Sequence, residues 1–282
     1  MIDLHSHSIY SDGTDTPERL AALADEAGLR ALALTDHDTL EGLERFLDCQ
    51  PSTRAELVPG VELSCRYLGR VLHVLGLFID PGDPAFRARI QDMRDRRVDR
   101  NRAMVARLQE LGVPITWEEV AALAPTDTVS RTHFARALVA RRAAGSPQDA
   151  FKRFIGDDGP AFVPLRELTP AEAALWIREA GGVPVVAHPG RFTSRAFRWD
   201  QAMAELKAAG MEGLEAHYPD YGPQEHRYFL DLAKGLDMVA SGGSDYHGDH
   251  KPGQHLGVGT GSLRVPDGVL DQLKGRRPLR DV

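Results

Sequence analysis

The 282-residue sequence predicts an α/β barrel carrying an all-helical insertion, and three observations predict it. Short apolar runs of strand length recur along the chain. Helix-like stretches with their own start and stop signals lie between them, and from about residue 84 to residue 164 the helical pattern continues without a strand.

The first apolar run covers residues 2–4. After it, Thr16 is placed to cap a helix, Pro17 suits the first turn, Leu20, Leu23, Ala24 and Ala27 supply a buried stripe, and Gly28 closes the end. Runs at 31–34, 57–61 and 71–78 read as buried parallel strands. Asp83 and Pro84 then open a long polar helix, Thr116 with Glu119 forms a capping box, and residues 130–140 make a third helical stretch. The barrel is therefore assigned to residues 1–83 and 165–282, and residues 84–164 to an insertion expected to act as a substrate cap. Thr169, Pro170 and Glu172 repeat the capping signature before a helix ending at Gly181. That helix leads into the fifth run, 183–187; the sixth and seventh are 213–216 and 238–240. A glycine-rich tail from Gly253 to Gly261 reads as loop around a short last strand.

Composition narrows the function. With 42% hydrophobic residues the chain can bury a full core, which excludes disorder. No apolar run approaches the roughly 20 residues that cross a bilayer, and no basic segment precedes the first strand, so the chain reads as cytoplasmic with no membrane partner. Cys49 and Cys65 make neither a disulfide framework nor a thiolate zinc site. A net charge of −7 argues against clamping duplex DNA. It leaves room for a small phosphorylated ligand, because divalent ions in a carboxylate pocket reverse the local potential.

The eleven histidines matter by position. His5 and His7 leave the first strand, Asp12 follows in the next loop, His37 follows the second strand, and Glu62 closes the third. His73 lies within the fourth, His188 follows the fifth, and Asp245 and His247 follow the seventh. In a barrel of parallel strands the C-terminal ends converge on one face, where active sites assemble. Residues two apart on extended chain point the same way, so His5 with His7 and Asp245 with His247 can each reach a common centre. Imidazole plus carboxylate without thiolate suits zinc, manganese or iron(II), and nine candidates exceed what one ion uses, so more than one ion is expected. Each residue also has a plainer reading alone: a surface His-x-His pair, a paired core carboxylate at Glu62, a hydrogen-bonded core histidine at His73. Together on one face those readings become improbable.

The motifs Asp3-Leu4-His5-Ser6-His7, Ser11-Asp12-Gly13, Thr35-Asp36-His37-Asp38, Gly60-Val61-Glu62, His73, His188-Pro189 and Ser244-Asp245-Tyr246-His247 resemble those of the polymerase and histidinol phosphatase (PHP) domain proteins of the amidohydrolase group. They span nearly the whole chain and as a set are highly specific. Within the family the chain looks most like stand-alone phosphoesterases with a helical insertion, some acting on nucleoside 3′,5′-bisphosphates and others on short RNA; Ser130-Arg131-Thr132-His133 and the five residues after it also resemble that subgroup. The resemblance implies a distorted, TIM-like (β/α)7 barrel and three ions. His5, His7, Glu62 and Asp245 would hold one, Asp12, His37 and His247 a second, and Glu62, His73 and His188 a third, with Glu62 bridging. Manganese is the metal expected for activity, with zinc and iron(II) admitted by the same ligands.

Outside the metal set, the resemblance suggests that the insertion supplies phosphate contacts from Arg131 and His133, and Arg191 is a further candidate; a guanidinium fork matches phosphate, and an ordinary surface arginine is the alternative. The arginines between Arg94 and Arg102 read as a solvated helix face, with Arg102 alone a candidate for the pocket. Glu215 and His217 end the sixth run, where support of the ligands, proton donation and a purely structural role are equally open. The expected reaction removes the 3′-phosphate of a nucleoside 3′,5′-bisphosphate, leaving AMP from the adenosine compound. Metal-bound hydroxide attacks in line, and Asp245 and His247 are the candidate catalytic residues. A 5′-3′ exoribonuclease on short RNA and a metal-binding module without turnover are the alternatives.

Overall fold

The computed structural model describes residues 1–124, 129–192 and 197–279. Seven strands form one sheet whose spatial order is the chain order: β1 (Ile2–Asp3), β2 (Ala31–Leu34), β3 (Glu56–Tyr67), β4 (Arg70–Leu77), β5 (Val183–Val186), β6 (Gly213–His217) and β7 (Val239–Gly242). The sheet curls back on itself: the Leu4 amide donates to the Gly242 carbonyl (3.3 Å) and the His7 amide to the Tyr246 carbonyl (2.9 Å). This is the distorted α/β barrel that the sequence predicts.

One strand departs from expectation. β4 runs antiparallel to both of its neighbours, which corrects the reading of seven parallel strands; the remaining adjacent pairs are parallel. The cause is local. Leu68 and Gly69 both have positive φ (46° and 76°), the conformation of a two-residue hairpin whose twist matches that of its strands. A hairpin needs no crossover helix, and it lets β3 run past Glu62 to Tyr67, where the sequence reading ended the strand at 61. Because β4 is reversed, His73 near its start sits level with Ser64 on β3, and its carbonyl accepts from the amide of Ala187, just past the end of β5. An early residue of β4 thereby reaches the sheet end where the parallel strands finish.

Ile2, Ala33, Val58, Leu75, Val185 and Val239 belong to the central apolar cluster and are all but fully buried. Full burial of a Val or Leu side chain is worth about 1.5–3 kcal/mol. Helix Pro17–Glu26 begins under Thr16, whose side chain accepts from the Arg19 amide, and helix Pro170–Glu179 begins in a reciprocal box between Thr169 and Glu172. The second of these packs on β4 and β5 so closely that a Cβ on Gly76 would lie 2.8 Å from Ile177 Cγ1.

Residues Met1–Ala88 with Glu167–Val282 form one compact unit, and Arg89–Arg166 form another. Among its described residues the second unit contains no strand. It holds the later turns of helix Pro84–Glu110, helix Trp117–Ala121 with its Thr116/Glu119 box, helix Arg131–Ala140, and Pro147–Ala150 running into a π turn at Phe151–Ile155. Leu108, Ile115, Phe134, Leu138 and Ile155 are fully buried in a core of its own. Helix Pro84–Glu110 begins in the first unit and continues without a break into the second.

Candidate metal centre

Two buried carboxylates order the loops that carry the predicted ligands. Asp3 accepts from the amides of Gly257 (2.7 Å), Ser244 (2.8 Å) and His5 (3.3 Å), tying the exit of β1 to the segments after β7. Asp36 accepts from the Ser8 amide (2.7 Å) and from the hydroxyls of Ser8 (2.6 Å) and Ser11 (2.5 Å), so the loop before Asp12 folds onto the exit of β2. Three donors each offset part of the cost of burying these two groups, and burial still pushes both carboxyls above the ordinary range.

Glu62, fully buried on β3, is the meeting point. Its Oε2 lies 3.1 Å from His5 Nε2, 3.2 Å from His7 Nε2 and 3.3 Å from His37 Nδ1. Its Oε1 lies 2.9 Å from His73 Nδ1 and 3.0 Å from His188 Nε2. Asp245 Oδ1 is 3.3 Å from His7 Nε2 and 3.5 Å from His5 Nε2, and Asp12 Oδ2 is 3.3 Å from His247 Nε2 and 3.8 Å from His37 Nε2. All the predicted ligands therefore gather in one place. Their donor atoms fall into three sets, each within 4.8 Å: His5, His7, Glu62 and Asp245; His7, Asp12, His37 and His247; and His37, Glu62 and His73. His188 Nε2, 3.4 Å from His73 Nδ1, adjoins the third. Relative to the partition implied by the family resemblance, His7 and His37 each stand at the border of two sets.

The electrostatics suit a cation. Burial pulls the His7 imidazole down, but hydrogen bonds and charge from Asp245 and Glu62 outweigh it and hold the group at about 9. His5 is likewise raised against burial, by Glu215, Glu62 and Asp245. Burial would raise Glu62, yet the imidazoles of His37, His5 and His73 hold it well below the ordinary carboxylate range, and His5, His7 and Lys251 do the same for Asp245. His37 goes the other way, lowered to about 4 chiefly by burial. Ionised carboxylates interleaved with imidazoles, free of thiolate, make a donor set that a divalent metal ion fits.

Glu215 orients two of the donors. It is fully buried, with Oε1 3.0 Å from His5 Nδ1, which leaves His5 Nε2 to face Glu62; its Oε2 accepts from the His188 amide at 2.7 Å. The other residue weighed with it, His217, is turned to His226, with ring nitrogens 3.1 Å apart. His188 and Asp245 take left-handed backbone conformations (φ 26° and 53°), uncommon for residues other than glycine and concentrated at functional sites.

A cavity of about 480 Å³ opens on the centre, lined by several of these ligands together with Arg191, Lys251, Phe192 and Val71. Asp245 Oδ2 accepts from the Tyr218 hydroxyl (2.7 Å), from Lys251 Nζ (2.7 Å) and from the Arg191 guanidinium (3.3 Å), which also donates to the Tyr218 oxygen (2.8 Å). Tyr218 and Lys251 belong to no motif, and sequence reasoning missed both. Arg131 and His133 lie in the helical unit. There the Arg131 guanidinium stands over Phe162 (5.5 Å) and Phe151 (5.8 Å) and donates to Asp157 (2.6 Å). His133 Nδ1 accepts from the Ser130 amide (3.0 Å) in the cap of its own helix, and Arg102 stands over Trp117 (5.7 Å).

Residues 3–114 match the PHP domain. The chain is 34% identical over 247 residues to the 5′-3′ exoribonuclease Rnm of Salmonella typhimurium, covering 87% of this chain and 84% of the relative. It is 32% identical over 257 residues to a 3′,5′-nucleoside bisphosphate phosphatase of Chromobacterium violaceum, covering 91% and 90%. A solved chain from Bifidobacterium adolescentis, assigned as a metal-dependent phosphoesterase, matches with a TM-score of 0.73 and 29% identity over 98% of this chain and 96% of that one.

Proposed function

Because the chain belongs to the PHP domain family and is a phosphoesterase, we propose that it removes the 3′-phosphate of nucleoside 3′,5′-bisphosphates, adenosine 3′,5′-bisphosphate among them. The observation that carries this reading is Glu62, a single buried carboxylate whose two oxygens face separate histidine groups, with His37, His73 and His188 of those groups lining an open cavity. That arrangement supports a bridging role. His5, His7, Glu62 and Asp245 would hold one ion, Asp12, His37 and His247 a second, and Glu62, His73 and His188 a third, with manganese the proposed native metal. When bound, such ions supply positive charge for phosphoryl oxygens and lower the pKa of water toward neutrality.

The remaining steps belong to the chain's own residues. Glu215 keeps His5 Nε2 turned toward the centre, and Tyr218 fixes Asp245. Arg191, half exposed at the cavity, offers a planar donor fork for a phosphate that is not being cleaved. Binding energy from that second phosphate positions the first and increases turnover as well as affinity, which favours a bisphosphate over a monoester. A full set of candidate ligands, six of which line an open cavity, supports turnover over a metal-binding module without it.

The likeness to the Salmonella exoribonuclease supports a second reading, in which the same centre shortens RNA from its 5′ end. A side-by-side phosphate-release assay separates them. We expect kcat/KM for adenosine 3′,5′-bisphosphate to exceed that for 3′-AMP, 5′-AMP and histidinol phosphate by about tenfold or more, or about 1.4 kcal/mol of transition-state binding. More efficient degradation of a short 5′-phosphorylated oligoribonucleotide would assign the exonuclease instead.

A further inference from the structure

Asp245 Oδ2 has more donors than it needs to be held in place. Tyr218, itself buried, donates at 2.7 Å and is fixed in turn by Arg191 at 2.8 Å. Lys251 nevertheless brings its ammonium to 2.7 Å from the same oxygen and 3.3 Å from the Asp245 carbonyl. The lysine side chain is 27% exposed and lines the cavity. An ammonium carries three N–H donors in a tetrahedral array. Two are directed at Asp245, which leaves the third for the cavity.

The loop that carries Lys251 is built to hold it there. Gly248 has φ 63°, and a Cβ at that position would collide with Thr14 Oγ1, so the turn requires glycine. The Asp249 amide donates to Thr14 Oγ1 (2.9 Å), and His250 Nδ1 lies 2.8 Å from the carbonyl oxygen of Asp12. Beyond Lys251, the Gln254 side chain donates to the Ser244 carbonyl. The segment is thus pinned on one side to the loop of Asp12 and on the other to the residue before Asp245, both in the candidate centre. A long, otherwise flexible side chain is delivered to one place beside the predicted ligands.

We propose that Lys251 is a substrate contact whose ammonium donates to a phosphoryl oxygen of the phosphoester under attack, an inference that rests on the phosphoesterase reading above. Without substrate its charge is shared with Asp245. With substrate, the third donor meets the oxygens on which charge accumulates, as a compact point charge that complements the planar fork of Arg191.

The test uses Lys251→Met and Lys251→Arg in the full chain. Bound metal is measured by elemental analysis, thermal stability by unfolding, inorganic phosphate affinity by calorimetry, and turnover with adenosine 3′,5′-bisphosphate. Metal content and Tm should match those of the unsubstituted protein. In Lys251→Met the Kd for phosphate should rise, and kcat/KM fall, by about tenfold or more, with Lys251→Arg recovering part of both. Loss of metal together with activity would overturn the proposal and make Lys251 a positioning residue for Asp245. Unchanged phosphate affinity in Lys251→Met would overturn it too, leaving a surface cation. If the unsubstituted protein left the bisphosphate intact, the proposed substrate would fail, while the phosphate affinities would still decide the role of Lys251.

Discussion

Glu62 and Glu215 are both fully buried carboxylates in contact with His5, yet their replacement should have different consequences. Glu62→Ala removes an acceptor shared by five imidazoles, and turnover should vanish with the far-ultraviolet circular dichroism unchanged, because the side chain faces the histidines and takes no part in the apolar core. Activity near that of the unsubstituted protein would remove the proposed bridge. Glu215→Gln leaves every predicted ligand in place but removes the charge and one of the two acceptors that hold His5 and the His188 amide, so metal affinity should weaken by about 10–100-fold, read by titration with a competing chelator. An unaltered affinity would assign Glu215 to structure alone. The ligand candidates could be read from the sequence because each follows a strand-like run or falls inside one, often as one of a pair two residues apart. Glu215 could be noticed as the one acid in an apolar strand but not assigned, since its partner His5 lies 210 positions away along the chain. Lys251 and Tyr218 gave no signal because their roles arise only from contact with Asp245.

Secondary-structure elements were legible where the signal is local. The Thr16 and Thr169 caps, the Thr116/Glu119 box and the helices they open stand where side-chain chemistry at the first turn put them. The direction of β4 was not legible, since composition does not record the direction of a strand and Leu68-Gly69 lacks the Asn-Gly or Asp-Gly signature of a tight hairpin. Packing of helix Pro170–Glu179 on β4 yields a prediction at this scale. Gly76→Ala places a methyl 2.8 Å from Ile177 Cγ1 and should destabilise the protein by about 1–3 kcal/mol. Combining it with Ile177→Ala, which removes Cγ1, should cost less Tm than the two single substitutions added together. Additive losses in the double variant would place the strain in the backbone rather than in the Ile177 contact.

For the whole molecule, the donor sets predict that metal and stability are linked. An ion that binds only the folded chain adds about 2.7 kcal/mol at a concentration one hundred times its Kd. Exhaustive chelation should therefore lower Tm and stop phosphate release, and manganese should restore both. Elemental analysis of the active protein should find more than one ion per chain, and a single ion with full activity in chelator would refute the cluster. The break in strand pattern after β4 announced a helical segment, but its boundary was hidden because helix Pro84–Glu110 runs through it unbroken. The reversed β4 has a consequence on another timescale. Antiparallel neighbours such as β4 and β5 can be joined by a link of a few residues, so nothing in the sheet obliges the chain between Leu77 and Val183 to be long. That link is where the helical unit resides. Descendants of this gene could enlarge, trade or discard it as a cassette while the strands bearing the histidines kept their register, so the two parts of the chain can diverge at different rates.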